Sequence, residues 1–222
     1  MTDHPDTTAL PSLLVSGAPR GQAVLAGVLL HGRDRSREEK VILAESFGIT
    51  RIRWLAPAAD TGSWYPARFF EPRQANEPFL SRAIEQCDRV VDEATEDGRL
   101  APHQIVLVGF SQGACLAVEY ALQRPGRCGA LIVFTGAVIG PPEMDCPSPQ
   151  QSLKGTRILL TGSDADEWIS EKQTRRTARI LEESGAEVRL KIYHGRPHIV
   201  STDELEEART MLRELMPEPT RM

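Results

Sequence analysis

The sequence has few cysteines and none in the spacing of a metal site. Four occur among the 222 residues, at positions 87, 115, 128 and 146, and no two form a C-x-x-C pair. A disulfide-built fold of this length needs more cysteine, and a zinc site needs tighter clustering. We therefore expect reduced thiols, as in cytoplasmic proteins.

Long apolar runs and a signal-peptide pattern are also missing. The longest apolar runs, such as residues 130–134, are far too short to span a bilayer. The first eleven residues are polar and acidic, and no basic segment followed by an apolar one precedes the rest of the chain. These features predict a cytoplasmic protein without stable membrane insertion, in which residues 1–11 are flexible.

Blocks of basic charge are absent as well. The formal net charge is -5, with both signs interspersed along the chain. Proteins that bind nucleic acid usually carry a basic patch or stripe, so this charge pattern argues against a nucleic-acid partner. Apolar residues make up 41% of the chain, and this length suits one domain with a substantial core. Residues 1–222 are thus expected to form a single domain.

Short apolar runs of β type alternate with amphipathic stretches of helical period. Several of the β-type runs are almost continuous in Val, Ile and Leu, as expected for strands buried on both faces of a parallel sheet. Strand–helix alternation predicts an α/β protein with a mostly parallel central sheet and helices on both faces. We predict strands at residues 13–16, 23–30, 50–56, 104–108, 130–134, 157–161 and 187–193, and helices at 35–47, 78–97, 112–124, 171–184 and 202–215. Two segments rich in Pro, Gly and Ser, 57–77 and 137–155, are predicted to be loops over the carboxyl edge of the sheet.

The strongest local signal is the sequence GFSQG at residues 109–113, between an apolar strand and a helical run. A G-x-S-x-G pentapeptide in this context is typical of the nucleophile elbow of α/β-hydrolases, in which a sharp turn exposes the serine hydroxyl. Glycines are needed at both flanks because side chains there would collide with the strand and the helix. Ser111 is therefore the candidate nucleophile. The alternative is a plain glycine-rich turn in which Ser111 only caps the helix.

A second signal, HGRD at residues 31–34, directly follows an apolar strand. An α/β-hydrolase stabilises the oxyanion with two backbone N–H groups, one from the residue after the nucleophile and one from the loop after an earlier strand. In this chain they would belong to Gln112 and Arg33, and Gly32 would let the loop turn inward. His31 precedes the serine in the chain, so we interpret it as a structural histidine that holds this loop.

The base and the acid are expected after Ser111, because the chain order in this fold is Ser, then Asp or Glu, then His. His194 ends a predicted strand, whereas His198 lies in the loop before the last helix, where a base can project over the carboxyl edge. We therefore favour His198. Asp164 and Asp166 both follow the next-to-last strand, and position alone does not separate them, since Asp164 also suits a residue that closes a turn.

With these motifs the chain resembles the phospholipase/carboxylesterase family, which includes acyl-protein thioesterases and small bacterial carboxylesterases. The resemblance covers nearly the whole length after about residue 23. It implies an α/β-hydrolase fold with a minimal cap or none, hydrolysis of carboxylic esters or thioesters through an acyl-enzyme, and no metal or organic cofactor. It also implies Ser111 as nucleophile, Asp166 as acid and His198 as base, and so selects Asp166 over Asp164. The matching sequences are LHGR at 30–33, SWYP at 63–66, GFSQG at 109–113, GSDAD at 162–166 and GRPH at 195–198.

The chain departs from this family at two places. Pro197 stands where the family usually has glycine before the catalytic histidine. Proline fixes its own φ and restricts the preceding Arg196, so we expect a stiffer loop. A Pro-x-Val-Pro pattern commonly follows the acid, whereas residues 167–170 read EWIS, which makes Trp168 a candidate for the pocket wall. These changes bear on the substrate more than on the reaction.

Aromatic residues in segment 57–77 suggest where a substrate binds. Trp64, Tyr65, Phe69 and Phe70 would line an apolar acyl or aryl pocket, or they would pack the loop onto the sheet. Little chain is available for a lid, so we expect an open site that takes small to medium ester or thioester substrates. The expected partners are such a small molecule and, at most, a second copy of the chain.

Three alternatives remain open from the sequence. A dienelactone-hydrolase-like enzyme normally uses cysteine as nucleophile, but the elbow residue here is Ser111, and Cys115 is expected to pack beneath it. The second alternative is a hydrolase for another bond, such as a peptidase or a lactonase. The third is a non-catalytic binding module that keeps the fold, against which the intact Ser, Asp and His candidates argue.

Overall fold

The computed structural model describes residues 13–96, 98–142 and 153–217. The expected flexibility of residues 1–11, the state of Cys146 and most of the second predicted loop lie outside the described residues. Within them, Cys87, Cys115 and Cys128 are free thiols and are buried.

The sheet carries a nearly uniform strand direction. Within the described residues its strands are β1 (Leu14–Gly17), β2 (Leu25–Leu30), β3 (Ile52–Ala56), β4 (Ile105–Phe110), β5 (Ala130–Phe134), β6 (Arg157–Ser163) and β7 (Glu187–Tyr193). Their order is β1-β3-β2-β4-β5-β6-β7. β1 is antiparallel to β3, and the other neighbouring pairs are parallel. The predicted mostly parallel sheet is therefore confirmed, with each strand close to its predicted position.

Two strands run two residues further than the apolar pattern predicts. β4 continues to Phe110 and β6 continues to Ser163. Each passes through a glycine, Gly109 or Gly162, whose backbone still pairs with the neighbouring strand. A glycine interrupts the apolar pattern without interrupting the strand, because the ladder hydrogen bonds use backbone groups only. Both extensions carry the chain to the edge of the sheet where the candidate residues lie.

Helices cover both faces of this sheet. The α-helices among the described residues are α1 (Arg37–Ser46), α2 (Phe79–Ala94), α3 (Gln112–Gln123), α4 (Glu171–Glu183) and α5 (Thr202–Leu215). Helices α2, α3 and α4 pack into the core on one face, and α1 and α5 pack into the core on the other. Three of them begin at serines that accept a hydrogen bond from the N–H three residues later, namely Ser36, Ser170 and Ser201. None of the helices in the described part of the chain has the length and apolar character needed to cross a membrane.

The carboxyl ends of β2, β4, β6 and β7 lie at one edge of the sheet, because these strands are parallel. The segments that begin there carry the candidates from four of the five motifs, all except SWYP at 63–66. The connection after β3, residues 57–78, borders the same edge and includes a 3₁₀ turn at Arg73–Asn76. The topology therefore gathers residues distant in the chain around Ser111.

Candidate active site

Ser111 lies at a strained turn between β4 and α3, with φ 55° and ψ −118°. Non-glycine residues rarely adopt positive φ, and such residues cluster at functional sites. A Cβ on Gly109 would lie 2.5 Å from the carbonyl oxygen of Gly113 in α3, which confirms the predicted collision with the helix. A Cβ on Gly113 would lie 2.3 Å from the carbonyl oxygen of Leu30. The second glycine is therefore required by the end of β2 and not by the strand that precedes the turn.

The structure brings Ser111, His198 and Asp166 into one hydrogen-bonded chain. Ser111 Oγ lies 2.8 Å from His198 Nε2, and His198 Nδ1 lies 2.8 and 3.0 Å from the two carboxylate oxygens of Asp166. An ionised carboxylate can only accept, so Nδ1 carries the proton and donates it to Asp166. Nε2 is then the acceptor for the hydroxyl proton of Ser111.

Asp166 is buried at the far end of this chain. Burial raises the pKa of its carboxyl group, but hydrogen bonds from His198 and from the backbone N–H groups of Ile169 and Trp168, both 2.8 Å long, outweigh burial and hold the pKa below its ordinary value. The carboxylate is therefore ionised at neutral pH, where it fixes the tautomer and orientation of the imidazole.

The other Asp–His pair does not include Ser111. His194 Nδ1 lies 2.7 Å from Asp164 Oδ2, and the N–H of Gly195 donates to Asp164 Oδ1 at 2.8 Å. The side chain of His194 is 89% exposed. This geometry agrees with the interpretation of His194 as a hydrogen-bonded strand end, and it shows that the Asp164 carboxylate binds the segment that follows β7.

The backbone N–H groups of Arg33 and Gln112 are the candidate oxyanion donors. Within the described residues, neither N–H donates a hydrogen bond to the protein. Both residues line the same cleft as Ser111. Gly113 sits directly against the carbonyl oxygens of Leu30 and His31, so the two segments that carry these donors are in contact. Free N–H groups at a helix N-terminus are suited to bind a developing negative charge.

His31 holds the loop that carries Arg33. Its Nδ1 donates to the carbonyl oxygen of Gly32 at 2.8 Å, and its Nε2 accepts from the N–H of Ala59 at 3.0 Å. Burial, with a smaller effect of the positive charge of Lys40, lowers the pKa of His31 and outweighs the bond to Gly32, which raises it. The ring is therefore neutral and uses both nitrogens for structure, as the sequence interpretation expects.

The carbonyl oxygen of Tyr65 connects the side chains of Arg33 and Gln112, the two candidate oxyanion donors. It accepts from Arg33 Nη2 at 2.9 Å, from Gln112 Nε2 at 2.8 Å and from Ser63 Oγ at 2.8 Å. The Arg33 guanidinium donates further to the carbonyl oxygens of the next two residues, at 3.0 and 2.8 Å. Segment 63–67 is thus held against the loop and the helix that present the N–H groups.

A cleft of about 970 Å³ contains Ser111 and His198. Of the residues predicted to contact substrate, Tyr65, Phe69 and Trp168 line it. Trp168 is 58% exposed, and its ring centroid lies 6.4 Å from that of His198. The cleft therefore has an aromatic rim beside the candidate base.

The prediction that Trp64 contacts substrate is wrong. Trp64 is 3% exposed and does not line the cleft. Its indole N–H donates to the carbonyl oxygen of His31 at 2.7 Å, and its ring lies 4.7 Å from the His31 ring. An aromatic residue in a loop either faces a ligand or anchors the loop, and Trp64 anchors the loop that carries His31 and Arg33.

Cys115 lies one helical turn after Ser111 and is 1% exposed. Burial raises the pKa of its thiol to about 11, and its sulfur accepts from the N–H of Ala137 at 3.3 Å. A neutral, packed thiol is a poor nucleophile, as expected for a residue beneath the elbow. No group of three His, Cys, Asp or Glu side chains among the described residues is arranged to hold a metal ion.

The structure places two arginines next to the site for which the sequence motifs predict no role. The Arg68 guanidinium lies 5.7 Å from the ring centroid of Phe70 and 5.9 Å from that of Trp168, at the rim of the cleft. Arg196 is buried under the loop of His198. The sequence signal for Arg196 is its place in GRPH, which does not indicate that Thr135 and Ser163, from distant parts of the chain, bind this residue.

Comparison with known proteins agrees with this architecture. The model of the family described as phospholipase/carboxylesterase matches residues 51–216. The crystal structure of a phospholipase/carboxylesterase from Dyadobacter fermentans is 32% identical in sequence, with a TM-score of 0.84, and the match covers 90% of this chain and 95% of that one.

Curated relatives are more distant. A probable carboxylesterase of Oryza sativa is 27% identical over 88% of this chain and 79% of the relative. A second rice relative, 26% identical over 86% of this chain and 83% of its own, is described as a probable inactive carboxylesterase. Acyl-protein thioesterase 1 of Gibberella zeae is 25% identical over 54% of this chain and 52% of its own, so the chain spans about half the length of that relative.

Proposed function

The chain belongs to the phospholipase/carboxylesterase family, and from this premise we propose that it hydrolyses carboxylic esters or thioesters through an acyl-enzyme on Ser111. The observation that carries the proposal is the hydrogen-bonded chain from Ser111 through His198 to Asp166, which opens into a cleft. A nucleophile, a base and an orienting carboxylate within hydrogen-bond distance are the arrangement used in acyl transfer.

In the proposed first step, Ser111 Oγ attacks the carbonyl carbon of the substrate while His198 Nε2 takes the hydroxyl proton. The imidazolium that forms is stabilised by the Asp166 carboxylate. The N–H groups of Arg33 and Gln112 donate to the oxygen that becomes negative; loss of one such donor in a related site costs about 10²–10³ in turnover. The bond to the leaving group then breaks, and His198 protonates the departing alcohol or thiol.

In the second step, water replaces the leaving group. His198 takes a proton from the water as its oxygen attacks the acyl carbon, and the same two N–H groups stabilise the oxyanion. The bond to Ser111 breaks, His198 returns the proton to Oγ, and a carboxylic acid is released. The cycle needs no group beyond these residues and water.

The cleft supports small to medium acyl or aryl groups as the substrate. Its aromatic residues, Phe69, Phe70 and Trp168, offer flat apolar contacts, as in other pockets for small molecules. The exposure of Trp168 favours a substrate group that reaches the mouth of the cleft.

A fluorophosphonate probe tests the nucleophile directly, because it reacts with an activated serine and needs no knowledge of the substrate. Wild type should be labelled and Ser111→Ala should not. Hydrolysis of p-nitrophenyl esters from acetate to palmitate would then define the acyl length, and a matched series of thioesters would define the leaving group. Equal labelling of both proteins would refute the proposal.

The two aspartates provide a matched pair for the acid. Asp166→Asn should lower kcat by about 10³–10⁴, as loss of the orienting carboxylate does in serine proteases. Asp164→Asn removes the negative charge and alters only the contacts to His194 and Gly195, so it should stay within about threefold of wild type. The reverse ranking would assign the acid to Asp164.

A non-catalytic binding role is the second candidate function. It is supported by the rice relative that is described as a probable inactive carboxylesterase. It predicts that small esters bind in the cleft while wild type reacts with neither the esters nor the probe.

A further inference from the structure

Arg196 lies two residues before His198 and is 6% exposed. Its Nη1 donates to the carbonyl oxygens of Pro197 at 2.8 Å and Ile199 at 2.5 Å. These two residues stand immediately before and after the candidate base. One guanidinium nitrogen thus holds the backbone on both sides of His198 from the interior of the protein.

The guanidinium is in turn fixed by groups from other elements. Its Nη2 donates to Thr135 Oγ1 at 2.8 Å, just after β5, and its Nε lies 3.3 Å from Glu204 Oε2 in α5. The backbone carbonyl of Arg196 accepts from Ser163 Oγ, at the end of β6, at 2.6 Å. Position 196 is therefore tied to two strand ends and one helix.

Glu204 is 0% exposed, and its remaining contacts are also rigid. Oε1 accepts from Thr161 Oγ1 at 2.5 Å, and Oε2 accepts from the N–H of Ser201 at 2.7 Å as part of the capping box of α5. A buried ion pair is weak evidence for stability, because both charges are taken out of water. The planar guanidinium, with its fixed directions of donation, is well suited to set an orientation.

Neither Arg196 nor Glu204 lines the cleft, so neither touches substrate. We propose that Arg196 is a positioning residue, which sets the distance and angle between His198 and Ser111 by holding the carbonyl groups of Pro197 and Ile199. The inference rests on the proposed function only in the experiments that measure a rate of ester hydrolysis. Its effect should fall on proton transfer in the chemical step and leave substrate binding unchanged.

The main test is the double variant Arg196→Met/Glu204→Gln. It removes the donors without leaving a charge buried and alone. We expect kcat for p-nitrophenyl acetate to fall by about 10–100-fold, since misplacement of a catalytic group by about 1 Å can cost about 10²-fold. KM should stay within about twofold, and the rate of fluorophosphonate labelling should fall with kcat.

A matched control is Arg209→Met. Arg209 also donates from its guanidinium to backbone carbonyl groups, those of Ser46 at 2.8 Å and Phe47 at 3.0 Å, but at the end of α1. Its replacement should leave kcat within about twofold of wild type. Equal losses of kcat in the two variants would overturn the inference, because the effect would then be a general one on the fold.

A conservative pair covers the case in which the double variant does not fold. Thr135→Val removes one bond to the guanidinium with little change of volume, whereas Thr135→Ser keeps the hydroxyl. We expect a loss of kcat of about threefold in the first and almost none in the second, because Nη1 still holds the two carbonyl groups and only part of the free energy of one hydrogen bond is lost in the chemical step. Identical kinetics in these two variants would contradict the proposal.

Proton NMR reads the geometry without any substrate. The Nδ1 proton of His198, bonded to Asp166, should give a low-field resonance in wild type that shifts or broadens in the double variant and is unchanged in Arg209→Met. If the resonance is lost in the double variant and wild type hydrolyses no ester, the inference is supported and the proposed function is refuted. If wild type hydrolyses esters and the double variant keeps both its kcat and its resonance, the proposed function is supported and the inference is overturned.

Discussion

The two sides of the cleft each use one arginine to hold a loop by its backbone carbonyl groups. On the side of the candidate oxyanion donors, formed by the loop after β2 and segment 63–67 and called here the oxyanion side, Arg33 donates to three consecutive carbonyl groups of that segment. On the base side, Arg196 donates to the carbonyl groups that flank His198. The surroundings differ: Arg33 is exposed and has no carboxylate partner among the described residues, whereas Arg196 is buried against Glu204.

This difference separates two ways of fixing a loop. The exposed guanidinium of Arg33 keeps much of its hydration, so its removal costs little folding free energy. The buried pair of Arg196 and Glu204 has lost its hydration, and removal of one partner leaves an isolated charge in the interior. We therefore expect the base side to resist displacement more strongly than the oxyanion side, whose segment also lines the cleft.

The largest expected effect is on stability at the base side. Glu204→Gln leaves Arg196 without its carboxylate and should lower the free energy of unfolding by about 3–5 kcal/mol. Glu206→Gln is a matched control, because Glu206 lies on the same helix in an exposed ion pair with Arg209 and should cost at most about 0.5 kcal/mol. Urea unfolding at pH 7 measures both. Similar losses would remove the contrast between the two arginines.

Acid should loosen the oxyanion side first. The lowered pKa of His31 means that its contribution to stability is complete above pH 6.5 and is lost as the pH falls through the folded-state pKa. The pKa of Asp166 is also lowered, but from 3.8, so its contribution is kept until below that pH. Wild type should lose at most about 1.4 kcal/mol per pH unit between pH 6.5 and 4 from His31. Unfolding of His31→Gln should depend less on pH in this range, and parallel curves for the two proteins would contradict the assignment.

Replacing Arg33 should affect function more than stability. Arg33→Met keeps the backbone N–H but loses three hydrogen bonds to segment 63–67. We expect kcat/KM to fall about tenfold, divided between kcat and KM because that segment also lines the cleft. The free energy of unfolding should fall by no more than about 1 kcal/mol, as for exposed interactions. A pure kcat effect would make the two arginines equivalent.

The smallest effect is expected at Ser63. Its hydroxyl is one of three donors to the Tyr65 carbonyl and also accepts from Gln112 Nε2 at 3.0 Å. Ser63→Ala should lower kcat/KM by about twofold to threefold, because the other two donors remain. Ser63→Thr keeps the hydroxyl and should be near wild type in steady-state assays. A loss as large as that of Arg33→Met would show that the oxyanion side is as tightly held as the base side.

The sequence predicts the elements well because their signals are local. Most strands are short apolar runs, and most helices have an amphipathic period; β7 instead alternates apolar with charged residues, and α3 is buried on nearly all sides. The direction of β1 has no such signal, since an edge strand of four residues reads the same in both orientations. The wrong prediction for Trp64 has a related cause, because the sequence does not show which face of a loop an aromatic ring occupies.

The candidate site divides in the same way. Ser111, Gln112 and Arg33 follow from motifs whose glycines and flanking strands have a direct physical reason. The choice of Asp166 needed likeness to a family, since Asp164 two residues earlier has the same local setting. The role proposed for Arg196 cannot be predicted from the sequence, because the groups that fix its guanidinium and its backbone, on Thr135, Glu204 and Ser163, take up their positions only in the folded chain.

The three tryptophans of the chain differ sharply in their access to water. Trp54 and Trp64 are 1% and 3% exposed, whereas Trp168 is 58% exposed at the rim of the cleft. A soluble quencher such as acrylamide should therefore contact only the Trp168 indole and lower only its fluorescence. A molecule that occupies the cleft should shield this indole and change its emission, so the unmodified protein carries an optical reporter of ligand binding.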